Sequence, residues 1–246
     1  MKRNKQTFID LSTVNYSLSI EVEQKDIKNI HLSVYPPDGN VKIAAPHRMD
    51  LDTIRVFAIN KLQWIKKQQK TFRNQEREAP REYLSKESHY FQGKRYLLKI
   101  IEQDAKPKIV LTHSKIELYV RPNTSMEKRK EIIEEWYREE MKKTIPKMIE
   151  KWEKIIGVKA NEFGIKKMRT KWGTCNVEAK RIWINLELAK KPLDCMEYIV
   201  VHELVHLLER SHNDTFKNYM NEFMPKWRFH SDELNRLPFR HVEWKY

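Results

Sequence analysis

Glycine is scarce in this chain: five in 246 residues, at Gly39, Gly93, Gly157, Gly164 and Gly173, each standing alone. No GxGxxG, GxxxxGK or GxSxG string can be written with them, which argues against dinucleotide-binding and P-loop enzymes and against serine hydrolases with a nucleophile elbow. Cysteine is scarcer still. Cys175 and Cys195 are the only two, too few for a disulfide framework and wrongly spaced for a CxxC zinc site. No apolar run approaches the roughly 18 residues of a membrane-spanning helix. The opening MKRNKQTFID places no apolar stretch behind its basic residues, so it does not read as a secretory signal. A cytoplasmic protein is the expectation.

What the chain has in abundance is charge. Charged residues make up 33% and hydrophobic ones 40%, the balance of a folded and highly charged globule. The formal net charge is +14. The whole surplus lies in residues 1–200, while residues 201–246 balance. Such a field concentrates anions, which keeps nucleic acid, nucleotides and acidic proteins open as partners. The plain alternative is a solvated, lysine-rich surface.

The pattern along the chain is α+β. Tyr16–Val22 and Ile30–Tyr35 alternate apolar and polar residues with the period of half-buried strands. Pro36-Pro37-Asp38-Gly39 reads as the turn of a hairpin. A helix is predicted from Asp50 to about Gln69, followed by a polar connector over 74–88 and strand-like runs over 90–101 and 108–120. A long helix from about Met126 to Ile156 follows, crossing Pro146. Two strands, 166–175 and 181–186, come next. The last predicted elements are a helix from Pro192 to about Arg210, a second capped by Asn213 or Asp214, and a short one over 231–237. The composition divides best near residue 121, into a strand-rich domain over 1–121 with one helix and a helix-rich domain over 122–246.

One string carries chemistry: His202-Glu203-Leu204-Val205-His206, an HExxH. On a helix, residues four apart share a face, so two imidazoles can reach one zinc ion. Glu203, about 100° round the helix, can take a proton from a metal-bound water without being a ligand. A third donor is needed. His212 cannot reach from the same straight helix, since six residues place it about 120° from the direction of His206. The chain must therefore turn near Arg210–Ser211 to bring His212 back, and the Asn213-Asp214 cap allows that break. Glu222, with His230 behind it, is the competing third ligand. Cys175 reads as a small buried apolar residue, Trp172 and Trp183 as core residues, and Asn185 as a candidate holder of a neighbouring loop.

Several strings together resemble the YgjP-like metallopeptidase family, a relative of the SprT-like zinc proteases within the zincins. They are Met168-Arg-Thr-Lys-Trp-Gly-Thr-Cys175, Ile182-Trp-Ile-Asn-Leu186, Tyr198-Ile-Val-Val-His-Glu-Leu-Val-His206, Ser211-His-Asn-Asp-Thr-Phe216 and Met224-Pro-Lys-Trp227. Lys171 stands where the family usually has arginine, and Thr174 where it usually has serine. Lys217, in place of a common tryptophan, follows Phe216. The resemblance implies a zincin-like half, with an active-site helix beside a small antiparallel sheet, that hydrolyses peptides through a zinc-bound water. It supports His212 as the third ligand with His202 and His206, and Glu203 as general base. Arg169 and Lys171 are candidate substrate-binding residues, facing a carbonyl oxygen or an acidic group. Two other readings stay open. One is a metal-dependent nucleoside triphosphate pyrophosphatase, and the other a nucleic-acid-associated protease of the SprT-like type. Oligomeric state is not legible.

Overall fold

The computed structural model describes residues 6–13, 16–35, 39–74, 77–78, 81–168, 171–236 and 239–240. The architecture is mixed α+β with a strand-rich amino-terminal half, as the hydrophobic periods predict. Two compact units divide between residues 77 and 78.

In the first unit, β1 (Gln6–Thr13), β2 (Tyr16–Lys25), β3 (His31–Tyr35) and β4 (Asn40–Pro46) form a sheet of order β1-β2-β4-β3. The pair β3/β4 is the hairpin expected around Pro36–Gly39. The turn residues 36–38 themselves lie outside the described residues. Helices α1 (Leu51–Asn60) and α2 (Leu62–Asn74) lay Ile54, Ala58 and Ile65 on the buried side chains Ile9, Leu11, Ile20, Val22, Val41 and Ile43. Asp50 caps α1 by accepting from the Thr53 amide at 2.7 Å, a bond worth about 1 kcal/mol at a helix start. Gly39 has φ +76°, and a Cβ there would meet Cγ of Gln69 at 2.6 Å. The Gln69 side chain instead donates to the Gly39 carbonyl at 2.8 Å and ties α2 to the hairpin.

The second unit begins with β5 (Ser88–Phe91), β6 (Lys94–Glu102), β7 (Lys108–Leu111) and β8 (Lys115–Val120), in the order β5-β6-β8-β7. Helix α3 (Met126–Ile156) follows, running through Pro146. Here the division differs from the expected 121. Leu98, Ile116, Leu118 and Val120 of this sheet share one buried cluster with Ile133, Tyr137, Met141 and Ile145 of α3. The Tyr137 hydroxyl also donates to the Tyr90 carbonyl at 2.8 Å. Composition marks where strands give way to helices, but the domain edge follows which apolar faces are buried together.

Strands β9 (Glu162–Lys166), β10 (Gly173–Asn176) and β11 (Arg181–Asn185) form a small sheet of order β9-β11-β10. The expected single strand over 166–175 is thus two separate pieces. The earlier piece pairs parallel with β11, and only β10/β11 is a hairpin. A 3-10 turn (Leu186–Lys190) leads to α4 (Leu193–Val205), α5 (Asp214–Phe223) and α6 (Trp227–Arg236). Tyr198, Ile199, Val200, Val201, Leu204 and Val205 are buried, so α4 is enclosed on nearly every side. Among the described residues no helix is long and apolar enough to cross a membrane.

Candidate metal centre

Helix α4 ends sooner than its apolar pattern predicts. Its last residue is Val205, and His206 occupies the cap position with φ −61° and ψ −17°. His202 and His206 remain one turn apart, with ring centroids at 4.9 Å. The chain then reverses through residues 206–212. Its turns are closed by Leu208 N to Val205 O at 2.9 Å and Glu209 N to Val205 O at 3.0 Å. Asn213 caps α5 by accepting from the Phe216 amide at 3.0 Å.

This reversal brings His212 back to the helix. Its Nε2 lies 2.9 Å from Nε2 of His202. The donor atoms of His202, His206 and His212 all fall within 4.8 Å of one another. Two imidazole nitrogens on one tetrahedral zinc ion stand about 3.3 Å apart, so the three donors fit a single cation. His206 Nδ1 lies 3.0 Å from the Glu209 carbonyl, which can only accept. The proton therefore sits on Nδ1, and Nε2 keeps its lone pair for a metal. Glu222, the competing third donor, is exposed on α5 and outside this cluster.

Phe216 forms the floor. It is 2% exposed, and its ring centroid lies 4.9, 4.7 and 4.8 Å from those of His202, His206 and His212. Its placement follows from the cap, since the amide that Asn213 holds is that of Phe216 itself. Sequence pattern alone marks Phe216 only as part of a family string, with no role attached.

Burial sets the electrostatics. It pushes the His202 pKa down to about 3, with the other two imidazoles adding to the effect. His206 and His212 are also lowered, burial again first. Neutral imidazoles are the form that coordinates metal. Glu203 is 4% exposed, and burial raises its carboxyl to about 8 against the opposing charge of Lys171. Gly173 of β10 presses directly on it: a Cβ there would stand 2.4 Å from Oε1 of Glu203. Periodicity singles out neither Gly173 nor this contact, because a strand glycine has no pattern of its own.

The histidines and Glu203 open into a cleft of about 860 Å³, lined also by Lys171, Trp172, Thr174, Cys175, Trp183 and Arg210. Trp172 and Trp183 are half-buried and line this cleft; Trp172 also packs against the main core as expected, whereas Trp183 is not part of it. Burial raises the Cys175 thiol to about 11, with Glu203 adding to it, which keeps it protonated and inert. Arg169 lies outside the described residues. Asn185, 1% exposed, donates to the carbonyls of Met168 at 2.9 Å and Lys171 at 2.7 Å. It thus holds the loop that precedes β10.

The profile of the YgjP-like, metallopeptidase domain matches residues 28–237. No curated protein matches the chain. Among solved structures, similarity extends to the metallopeptidase zymogen of Pyrococcus abyssi abylysin, at 18% identity and a TM-score of 0.35, covering 37% of this chain and 91% of that one. The metallopeptidase zymogen of Methanocaldococcus jannaschii jannalysin is similar at 18% identity and 0.33, covering 37% and 92%.

Proposed function

Because the chain belongs to the YgjP-like metallopeptidase family, we propose that it is a zinc-dependent peptidase in which His202, His206 and His212 hold the ion and Glu203 is the general base. The observation that carries this reading is the return of His212 across the end of α4 to within 2.9 Å of His202, with a buried carboxylate at the adjacent helix position.

When bound, zinc lowers the pKa of a water toward 7 and polarises a carbonyl. The remaining work falls to the chain. Glu203, enclosed under Gly173, is shielded from bulk water and suited to accept the proton of the attacking water and pass it to the leaving amine. Strand β10 is the edge of its sheet, and its free backbone groups suit main-chain pairing with an extended peptide. Lys171, at the cleft, contacts the substrate.

The test has two parts. Metal analysis of the purified protein is expected to find about one zinc per chain. Glu203→Gln is expected to keep that zinc and to lose turnover on an unfolded protein by roughly 10²–10⁴-fold. Full activity in that variant would remove Glu203 from the chemistry. Release of pyrophosphate from nucleoside triphosphates, without any peptide cleavage, would move the assignment to a phosphoanhydride hydrolase.

A further inference from the structure

The cleft contains two cations that the fold itself does not employ. Lys171 sits in the loop before β10, and Arg210 in the turn between α4 and α5. Both line the same cleft as the three histidines. Both are exposed, and neither forms an ion pair among the described residues. The carboxylates on the cleft wall are Glu203, enclosed beneath Gly173, and Glu178, exposed beyond the end of β10. Arg210 is not part of the general lysine surplus, because residues 201–246 are charge-balanced.

The backbone under each cation is fixed. Asn185 donates to the Lys171 carbonyl at 2.7 Å through its side chain, and to the Trp172 carbonyl at 2.8 Å through its amide. Arg210 is flanked by two anchors. The Glu209 carbonyl accepts from His206, and the Ser211 amide donates to the Glu209 carboxylate at 2.9 Å. The bonds that orient His206 thus also set where Arg210 starts. The charge of Lys171 is felt by Glu203, His206 and His212, at each of which burial has the larger effect. Lys171 therefore faces the same cleft as these groups, and its charge reaches them. Charges anchored in this way lose little backbone entropy when they engage a ligand.

We propose that Lys171 and Arg210 read a carboxylate on the substrate, so that the preferred peptides carry a glutamate or aspartate side chain next to the bond that is cut. This rests on the peptidase reading and names its substrate class. A lysine delivers a point charge, where an arginine at the same position would deliver a bidentate fork. The pair of one lysine and one arginine suits a carboxylate approached from two sides.

The experiment compares three peptides of otherwise identical sequence. One carries an internal glutamate and an amidated end, one carries glutamine in its place, and one carries glutamine with a free terminal carboxylate. Binding is read by fluorescence anisotropy on metal-free protein, and cleavage by kcat/KM on zinc-loaded protein. The glutamate peptide is expected to bind and be cut roughly tenfold better than its glutamine twin, and the margin should narrow as salt rises. Lys171→Met and Arg210→Met should each shrink the glutamate-to-glutamine ratio several-fold, and Lys171→Glu should invert it. Equal handling of glutamate and glutamine overturns the proposal, as does a preference for the free terminus over the internal glutamate. A Lys171→Met variant that loses both substrates equally, with the ratio intact, assigns Lys171 to the carbonyl oxygen and also overturns it. Failure of the peptidase reading looks different: no peptide is cut, while metal-free protein still binds the glutamate peptide preferentially.

Discussion

Gly173 and Glu203 touch, and the contact leaves no space for another atom: a Cβ on Gly173 would lie 2.4 Å from Oε1, 2.8 Å from Cγ and 2.9 Å from the carboxyl carbon of Glu203. Gly173→Ala therefore has to move either the strand or the carboxylate. Overpacking of this kind costs about 1–3 kcal/mol. The variant should keep its metal but lose turnover by more than its stability loss explains. Zinc content, melting temperature and kcat measured on one preparation check this.

Phe216 offers a second test. Its ring supports all three imidazoles at 4.7 to 4.9 Å, and it is buried in the main core. Phe216→Ala should cost about 3–5 kcal/mol, a large share of the roughly 5–15 kcal/mol by which a folded protein is ordinarily stable. Phe216→Leu keeps most of the volume and should fold. Its zinc affinity should nevertheless fall, since a branched aliphatic chain cannot reproduce the edge contacts to His202 and His212 and the tilted contact to His206 that the aromatic ring makes. Competition with a chromogenic chelator measures that affinity.

Asn185 answers for the loop. Besides its bonds to Met168 and Lys171, its Oδ1 accepts from the Met168 amide at 3.3 Å and the Glu187 amide at 3.2 Å. Asn185→Ala strands buried polar groups at about 1–3 kcal/mol. A protein of this size should then melt several degrees lower. Peptide turnover should fall as well, because Lys171 loses its anchor. Normal turnover with a lowered melting temperature would limit Asn185 to a purely structural role.

The metal-free protein should show a stability maximum near pH 6.5. His202 is held near 3 when folded, against an ordinary 6.5, and His206 and His212 are lowered as well. Below pH 6.5 the unfolded chain takes up protons that the folded chain refuses, so stability falls with acid. Glu203 works in the opposite sense. Its folded value is raised to about 8 from 4.5, so its contribution is complete below 4.5 and lost as pH climbs through 8. Between 4.5 and 6.5 three histidines outweigh one glutamate, between 6.5 and 8 Glu203 sets the slope, and above 9 the raised thiols of Cys175 and Cys195 add a further decline. Glu203→Gln should abolish the decline between pH 6.5 and 8 and leave the acid one. Thermal melts of chelator-treated protein across this range measure both limbs.

How much of this was legible beforehand depends on whether the cause was local. The spacing of His202 and His206, the capping role of Asn213 and the long helix from Met126 depend on neighbours in sequence, and each appears where expected. The convergence of His212 did not follow from spacing, which required a break in the helix and left Glu222 open as the third donor; the family strings favoured His212, and the structure brings its ring to the other two. The exact break could not be read, since Leu207 and Leu208 continue the apolar pattern of α4 beyond its last helical residue. The parallel pairing of Glu162–Lys166 with Arg181–Asn185 joins segments with strand β10 between them in sequence, and alternation says nothing about which strand is the partner. The unit boundary failed for the same reason: the sheet over 88–120 is buried against a helix that composition assigns to the other half.

The enclosure of α4 has a consequence for how this protein can change. A rod touched on almost every side by the interior has little room for a side chain of another volume, so changes to the machinery it bears are costly. Variation is cheapest at the rim, in the segment leading to β10 and in the bend that carries Arg210, where side chains meet solvent. New appetites in such a scaffold would come from redecorating its mouth, while the engine beneath stays as it is.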